Sequence, residues 1–275
     1  VEYHAPETLG DALDILSRGG VTVVAGGTDF YPSMRPGGPR GDLLDITRVA
    51  GLRGIARQAG GWRIGAATRW SEIARADLPR AFDGLKAAAR KVGGLQIQNA
   101  GTVAGNLVNA SPAADGVPPL LTLGAQVEIA GPGGTRRVAL EEFITGVRQV
   151  ALDPGEMVVA VHMPEPPTDA AGAFCKLGSR AYLVISIAMV AVVLGRDEEG
   201  RIDHARVAVG ACSPVARRLP ALEAAMIGAR LEELRIDPAH LAPLSPIDDV
   251  RGSGAYRLEA VSELIGRALR EAAHG

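Results

Sequence analysis

Cysteine is nearly absent from this 275-residue chain, which carries only Cys175 and Cys212. They form no Cys-x-x-Cys pair and have no histidine nearby, which excludes a disulfide framework and a thiolate-held metal or iron–sulfur cluster. Both read as small buried apolar side chains. The five histidines, His4, His162, His204, His240 and His274, stand far apart in the sequence. Without His-x-His or His-Glu-x-x-His spacing they hold no metal. Aromatic residues make up 4% of the chain, and 29 Lys and Arg stand against 31 Asp and Glu. Such a balance lacks the basic footprint of a nucleic-acid binder. The longest apolar run, residues 181–194, falls short of the roughly 20 residues that cross a bilayer and is rich in Val and Ile, so a buried strand is expected. No signal peptide opens the chain. The expectation is a cytoplasmic protein with no membrane insertion and no nucleic-acid partner.

Apolar residues make up 47% of the sequence, ample for a sizeable core. Near the start, Thr8 is placed to cap a helix whose Leu9, Leu13 and Leu16 share a face. A short buried strand over residues 21–24 then delivers the chain into Gly26-Gly27. Residues 43–46 read as the next strand, which makes this opening a small α/β unit. A strand over residues 62–66, helices over 71–76 and 78–92, a hairpin pairing 126–130 with 136–140, and a strand over 157–161 follow. The Pro-rich stretch over residues 164–172 cannot continue a sheet or helix and marks a domain boundary. Beyond it, strands over 173–176, 184–194 and 205–210 precede helices over 219–229 and 255–273, the pattern of a separate α+β domain.

Two glycine-bearing stretches carry the chemistry. In the first, Val24, Ala25, Gly26, Gly27, Thr28, Asp29 and Phe30 end an apolar strand on glycines that let bare backbone N–H groups approach a phosphate. It is neither the Gly-x-Gly-x-x-Gly fingerprint nor a Walker A loop, since no Lys-Ser/Thr pair follows the glycines. Alone it is equally an ordinary strand-ending turn. The second stretch, residues 96–106, sets Gly101, Thr102, Ala104, Gly105 and Asn106 among the amides Gln96, Gln98 and Asn99, with Asn109, Ser111 and Asp115 close behind. Hydroxyls, amides and a carboxylate suit a ligand that carries both phosphate and sugar hydroxyls. Paired glycine loops suggest two phosphates gripped from both sides.

These two stretches, the continuation over residues 109–121 and the tail Asp249-Val250-Arg251-Gly252-Ser253-Gly254-Ala255-Tyr256-Arg257 together resemble the FAD-binding medium subunit of molybdenum hydroxylases, the xanthine dehydrogenase and carbon monoxide dehydrogenase family. The resemblance covers essentially the whole chain. It implies an α+β architecture: a two-lobed vanillyl-alcohol-oxidase (PCMH-type) FAD-binding domain over residues 1–166, with lobes of about 1–55 and 56–166. A carbon monoxide dehydrogenase flavoprotein C-terminal-type α+β domain over 172–275 is then expected to follow.

By the same resemblance, residues 23–30 wrap the FAD diphosphate, and Thr102, Gly105 and Asn106 sit around diphosphate and flavin with Ser111 and Asp115 nearby. Val158 or Val159 lies by the adenine, and Lys176 reaches the isoalloxazine edge. Arg180 fits the family pattern, but Leu183-Val184 stand where many members carry an acidic residue, which leaves the electron acceptor open. Tyr182 is either a shield over the flavin or a strand-end residue at a domain interface. The chain has no ligand set for molybdopterin or a 2Fe–2S cluster, so these are expected in a large and a small partner subunit, the whole forming a dimer of heterotrimers. The resemblance implies electron transfer from 2Fe–2S clusters through FAD to an external acceptor. The alternatives are a self-sufficient FAD-dependent oxidoreductase acting directly on a small substrate, and a non-catalytic nucleotide-binding module. The first is disfavoured because no His or Cys flavin-attachment motif and no clear acid/base pair is present.

Overall fold

The structure, a computed structural model, describes residues 1–179 and 185–274. The first lobe opens with strand β1 (Tyr3–His4) and helix α1 (Leu9–Ser17). Thr8 caps that helix as expected, its Oγ1 accepting from the Asp11 N–H at 3.1 Å. Strands β2 (Val21–Val24) and β3 (Asp42–Asp45) complete a three-stranded parallel sheet in the order β1-β3-β2.

The second lobe is an antiparallel sheet wrapped by short helices. Its strands β4 (Ile55–Gln58) and β5 (Gly61–Gly65) are followed by helices α2 (Trp70–Arg75), α3 (Asp83–Ala89), α4 (Leu95–Ala100), α5 (Val103–Asn109) and α6 (Val117–Thr122). The hairpin β6 (Gln126–Gly131) and β7 (Gly134–Ala139), helix α7 (Leu140–Phe143), the small hairpin β8 (Ile144–Gly146) and β9 (Gln149–Val150), and strand β10 (Met157–Pro164) close the lobe. The five-stranded order β4-β5-β10-β6-β7 puts β10 at the centre, and seven of its eight residues are buried. Trp70, Phe82, Leu85, Leu107 and Leu120 cover one side of the sheet. The first lobe packs through Ala12, Leu16 and Leu44 onto Ala130, Met157 and Val159.

In the second domain, strands β11 (Ala171–Leu177), β12 (Ala188–Arg196), β13 (Ile202–Gly210) and β14 (Arg217–Arg218) pair consecutively. Helices α8 (Pro220–Met226) and α9 (Gly254–His274) follow, and α9 presents Val261, Leu264, Ile265, Ala268, Leu269 and Ala272 to that sheet. This face repeats with helical spacing, which is why a 21-residue helix of low mean hydropathy docks firmly. Two glycines set the seam between the domains. A Cβ on Gly172 would stand 2.3 Å from the Ala81 carbonyl oxygen, and one on Gly84 would stand 2.8 Å from that of Ala173. Backbone therefore meets backbone across the seam, with Arg218 on Glu141 at 3.0 Å beside it.

Several expectations change. Residues 21–24 form the outer strand of their sheet, not a buried one, and Val23 is 36% exposed. The single helix expected over 78–92 is a 3₁₀ turn at Arg80–Phe82 followed by the shorter α3, because Pro79 cannot continue a helix and a turn at 91–94 ends it. The strand expected over 184–194 runs instead over Ala188–Arg196, with Ile185 exposed ahead of it and 184 outside the described residues. Helix α8 stops at Met226, before Gly228 turns with φ +81°.

Candidate functional site

Much of the second glycine stretch is helical rather than loop. Helices α4 and α5 meet at Gly101-Thr102, and Thr102 caps α5 by accepting from the Gly105 N–H at 3.1 Å. This junction is stitched to the segment before α2: Trp70 N–H bonds the Gly101 carbonyl at 3.1 Å, and Val103 N–H bonds that of Thr68 at 3.0 Å. The first stretch lies directly on it. A Cβ at Gly26 would fall 1.9 Å from the Ala100 carbonyl oxygen, so glycine is required by the contact itself. Gly27 turns the chain with φ +68°. The N–H groups of Tyr31 and Ser33 return to the carbonyls of Gly27 and Asp29 at 3.0 and 3.1 Å, while those of Gly26, Gly27, Thr28 and Asp29 meet no acceptor among the described residues. Unpaired amides on successive turn residues make a concavity for an anion.

Above this junction opens a cleft of about 870 Å³, in the upper range for small-molecule and cofactor sites. Val24, Ala25, Gly26, Gly27, Thr28, Asp29, Phe30, Gly101, Thr102, Ala104, Gly105, Asn106 and Val158 line it. Strand β2 is one wall: Val23 stays exposed there, while Val24 is buried and Val21 packs against the core between the lobes. Asn106 Oδ1 is buried with no hydrogen-bond partner. That oxygen faces Gly116, where an added Cβ would stand 2.8 Å from it, and a buried acceptor left bare costs about 1–3 kcal/mol. Of the other amides, Gln98 is structural, its Nε2 donating to the Arg90 carbonyl at 2.9 Å, and only Asn109 also lines the cleft.

Four expected residues do not line the cleft. Val159 is buried in the core between the lobes, and its carbonyl bonds the Ala66 N–H at 3.0 Å. Ser111 Oγ accepts from the Ala113 N–H at 3.3 Å. Lys176 Nζ lies 2.7 Å from Asp115 Oδ2 with both side chains about nine-tenths buried, and Ser186 Oγ donates to Asp115 Oδ1 at 2.9 Å. Burial pushes the Asp115 carboxyl above its usual range, opposed by Lys176 and Ser186. The ion pair ties β11 to the turn before α6, and Lys176 Nζ also donates to the Lys91 carbonyl at 3.4 Å in the segment after α3, next to the cleft residue Val92. Tyr182 and Arg180 lie outside the described residues.

Sequence reasoning missed Arg148, Leu152 and Trp70, all of which line the cleft. A positive φ at Arg148 is invisible in sequence, and the other two read as ordinary core residues.

Two lobes, a glycine junction with bare amides and a long cleft with an apolar wall define a flavin-dinucleotide-binding protein. Residues 1–166 match the family of the FAD-binding domain in molybdopterin dehydrogenase, and 173–272 match the CO dehydrogenase flavoprotein C-terminal domain. The chain belongs to this family of oxidoreductase FAD-binding subunits. It is 32% identical to the xanthine dehydrogenase FAD-binding subunit of Escherichia coli, over 98% of this chain and 95% of that one. It is 28% identical to the carbon monoxide dehydrogenase medium chain of Hydrogenophaga pseudoflava, over 98% and 96%. A crystal structure of Cu,Mo-CO dehydrogenase superposes with a TM-score of 0.91 at 27% identity, covering 99% of this chain and 97% of that one. The architecture expected from the sequence is the one these matches share.

Proposed function

We propose that this chain is the electron-exit subunit of a molybdenum-containing hydroxylase or dehydrogenase. The observation that carries the reading is the glycine junction: the N–H groups of Gly26 to Asp29, which meet no acceptor among the described residues, on residues that line the cleft. FAD, when bound, supplies the redox chemistry, accepting electrons from a partner's 2Fe–2S clusters and releasing them to an external acceptor.

The chain's own residues bind and orient. The first glycine turn offers its N–H groups to the diphosphate, and from the other side Thr102 offers its hydroxyl and Asn106 its side-chain amide, with Gly105 leaving room for the ligand. Ala104 and Val158 exclude water along the wall. Lys176 and Asp115 act outside the cleft lining by holding the C-terminal domain against the turn before α6, with Ser111 shaping the turn that carries Asp115. In this reading residues 1–166 carry the cofactor and 172–275 buttress it. Among the described residues no helix is long and apolar enough to cross a membrane. Both cysteines are free, which fits a reducing cytoplasm. The partners proposed are a large molybdopterin-binding and a small 2Fe–2S subunit, assembled as a dimer of heterotrimers.

The test is purification of the chain from its native host. Flavin absorbance in a complex that also holds molybdenum and iron supports the proposal. A chain that neither contains nor takes up FAD refutes it. A lone chain that turns over a small substrate favours a self-sufficient flavoenzyme.

A further inference from the structure

Left-handed backbone is confined mostly to glycines such as Gly19, Gly51, Gly134 and Gly155, but Ala110 and Arg148 adopt it too, with φ +46° and +59°. The two are joined, since Arg148 N–H bonds the Ala110 carbonyl at 2.9 Å. Ala110 caps the C-terminus of α5, and Arg148 is the second residue of the two-residue turn between β8 and β9. Glycine or asparagine fills both seats without strain, whereas other residues there cost free energy and recur at functional sites. An arginine that holds such a seat is kept for its side chain. Its Nη1 donates to the Asn109 carbonyl at 3.1 Å and to Asn109 Oδ1, which fixes the guanidinium at the rim of the cleft.

That rim belongs to the end of the cleft away from the glycine junction. Helix α5 carries the chain from Thr102 to Asn109, so Asn109 stands roughly 10 Å from the junction. Around it lie Val108, Leu152, Met157 and Val158, an apolar slot with the planar Arg148 at its mouth. The opposite end, at Val92 and Ile97, leads toward Lys91 and the C-terminal domain.

We propose that Arg148 is a specificity residue for the adenylyl half of the bound dinucleotide, its guanidinium stacking on the purine face while Asn109 holds the fork in plane. A guanidinium stacks on aromatic rings in a way that an ammonium does not. The inference rests on the FAD reading of the cleft.

Arg148→Gly separates this role from a structural one, because glycine relieves the left-handed strain. Titration of apo-protein with FAD, ADP and FMN is the assay, alongside thermal unfolding without ligand. The expected result is about a tenfold weaker Kd for both FAD and ADP, an unchanged Kd for FMN, and a Tm equal to or above wild type. Arg148→Lys, which keeps the charge but loses the plane, shows most of the same loss. FAD and ADP affinities within twofold of wild type overturn the inference. So does an equal loss for FMN, or a lowered Tm, which would make Arg148 a brace for α5. Failure of the wild-type chain to bind FAD refutes the proposed function instead.

Discussion

Replacing Gly26 by alanine adds one methyl group where the two glycine stretches touch. The new Cβ would lie 1.9 Å from the Ala100 carbonyl oxygen, 2.5 Å from its carbon and 2.9 Å from Gly101 Cα. All three are backbone atoms, so no rotamer change makes room. Ordinary contact begins near 3.4 Å, so roughly 1.5 Å of retreat is needed between the first loop and the α4–α5 junction. The junction is pinned by Trp70 N–H on Gly101 and Val103 N–H on Thr68, which resist that retreat. Overpacking of this kind costs about 3 kcal/mol. In a chain of this size that lowers Tm by about 6–12 °C. The same displacement parts the amides of the first loop from Asn106, and FAD affinity falls about 30-fold, about 2 kcal/mol. Gly27→Ala supplies the contrast. Its Cβ would strike the Tyr31 ring at 2.5 Å, but that ring is half exposed and swings aside, leaving chiefly the left-handed strain of about 1–2 kcal/mol. Differential scanning calorimetry and flavin-fluorescence titration of both variants decide the matter. A Gly26→Ala protein with wild-type Tm and FAD affinity, or one less damaged than Gly27→Ala, would refute the contact argument.

Other outcomes follow from the same coordinates. Asp115→Asn strands the buried Lys176 ammonium and lowers unfolding free energy in urea by about 3 kcal/mol, while the paired change Asp115→Leu with Lys176→Met recovers most of it. Arg257, 2% exposed, donates to the carbonyls of Ile187 and Ala211 and pairs with Asp249 at 2.7 Å. Arg257→Met takes the guanidinium donor from the Ile187 and Ala211 carbonyls, while Asp249 keeps the Arg251 N–H and Nη1, and urea denaturation should register a loss of about 3 kcal/mol. The Tyr3 phenol, hydrogen-bonded to Asp45, is pushed up to about 12 from its ordinary value of 10.0. Its contribution to stability is complete below pH 10 and lost as pH rises toward 12, so in an ultraviolet base titration Tyr3→Phe removes a phenol that ionises at about 12.

Residue identity and local order determined a great deal about this protein. Thr8 capping α1, the alternation of β6 and β7 and the prolines before β11 are local effects, written in a few adjacent residues. The glycine stretches were legible as a pair of close backbone approaches, but not that Gly26 meets the Ala100 carbonyl, a contact set by packing distant in sequence. The rest depended on contacts distant in sequence. Periodicity cannot tell a buried strand from one whose outer face lines a cleft, so the whole of β2 read as buried although Val23 is exposed. Nothing local announces that Lys176 meets Asp115, 61 positions earlier, behind the cleft rather than in it. Nor does sequence reveal that Arg148 sits in a left-handed turn whose N–H meets the Ala110 carbonyl, a partner far off in sequence. The sequence by itself determined most of the elements, through short-range sterics and hydrogen bonding, and the cofactor through the family its motifs resemble. Tertiary structure alone decided which side chains share the cleft, because convergence is set by how the two lobes and the C-terminal domain pack.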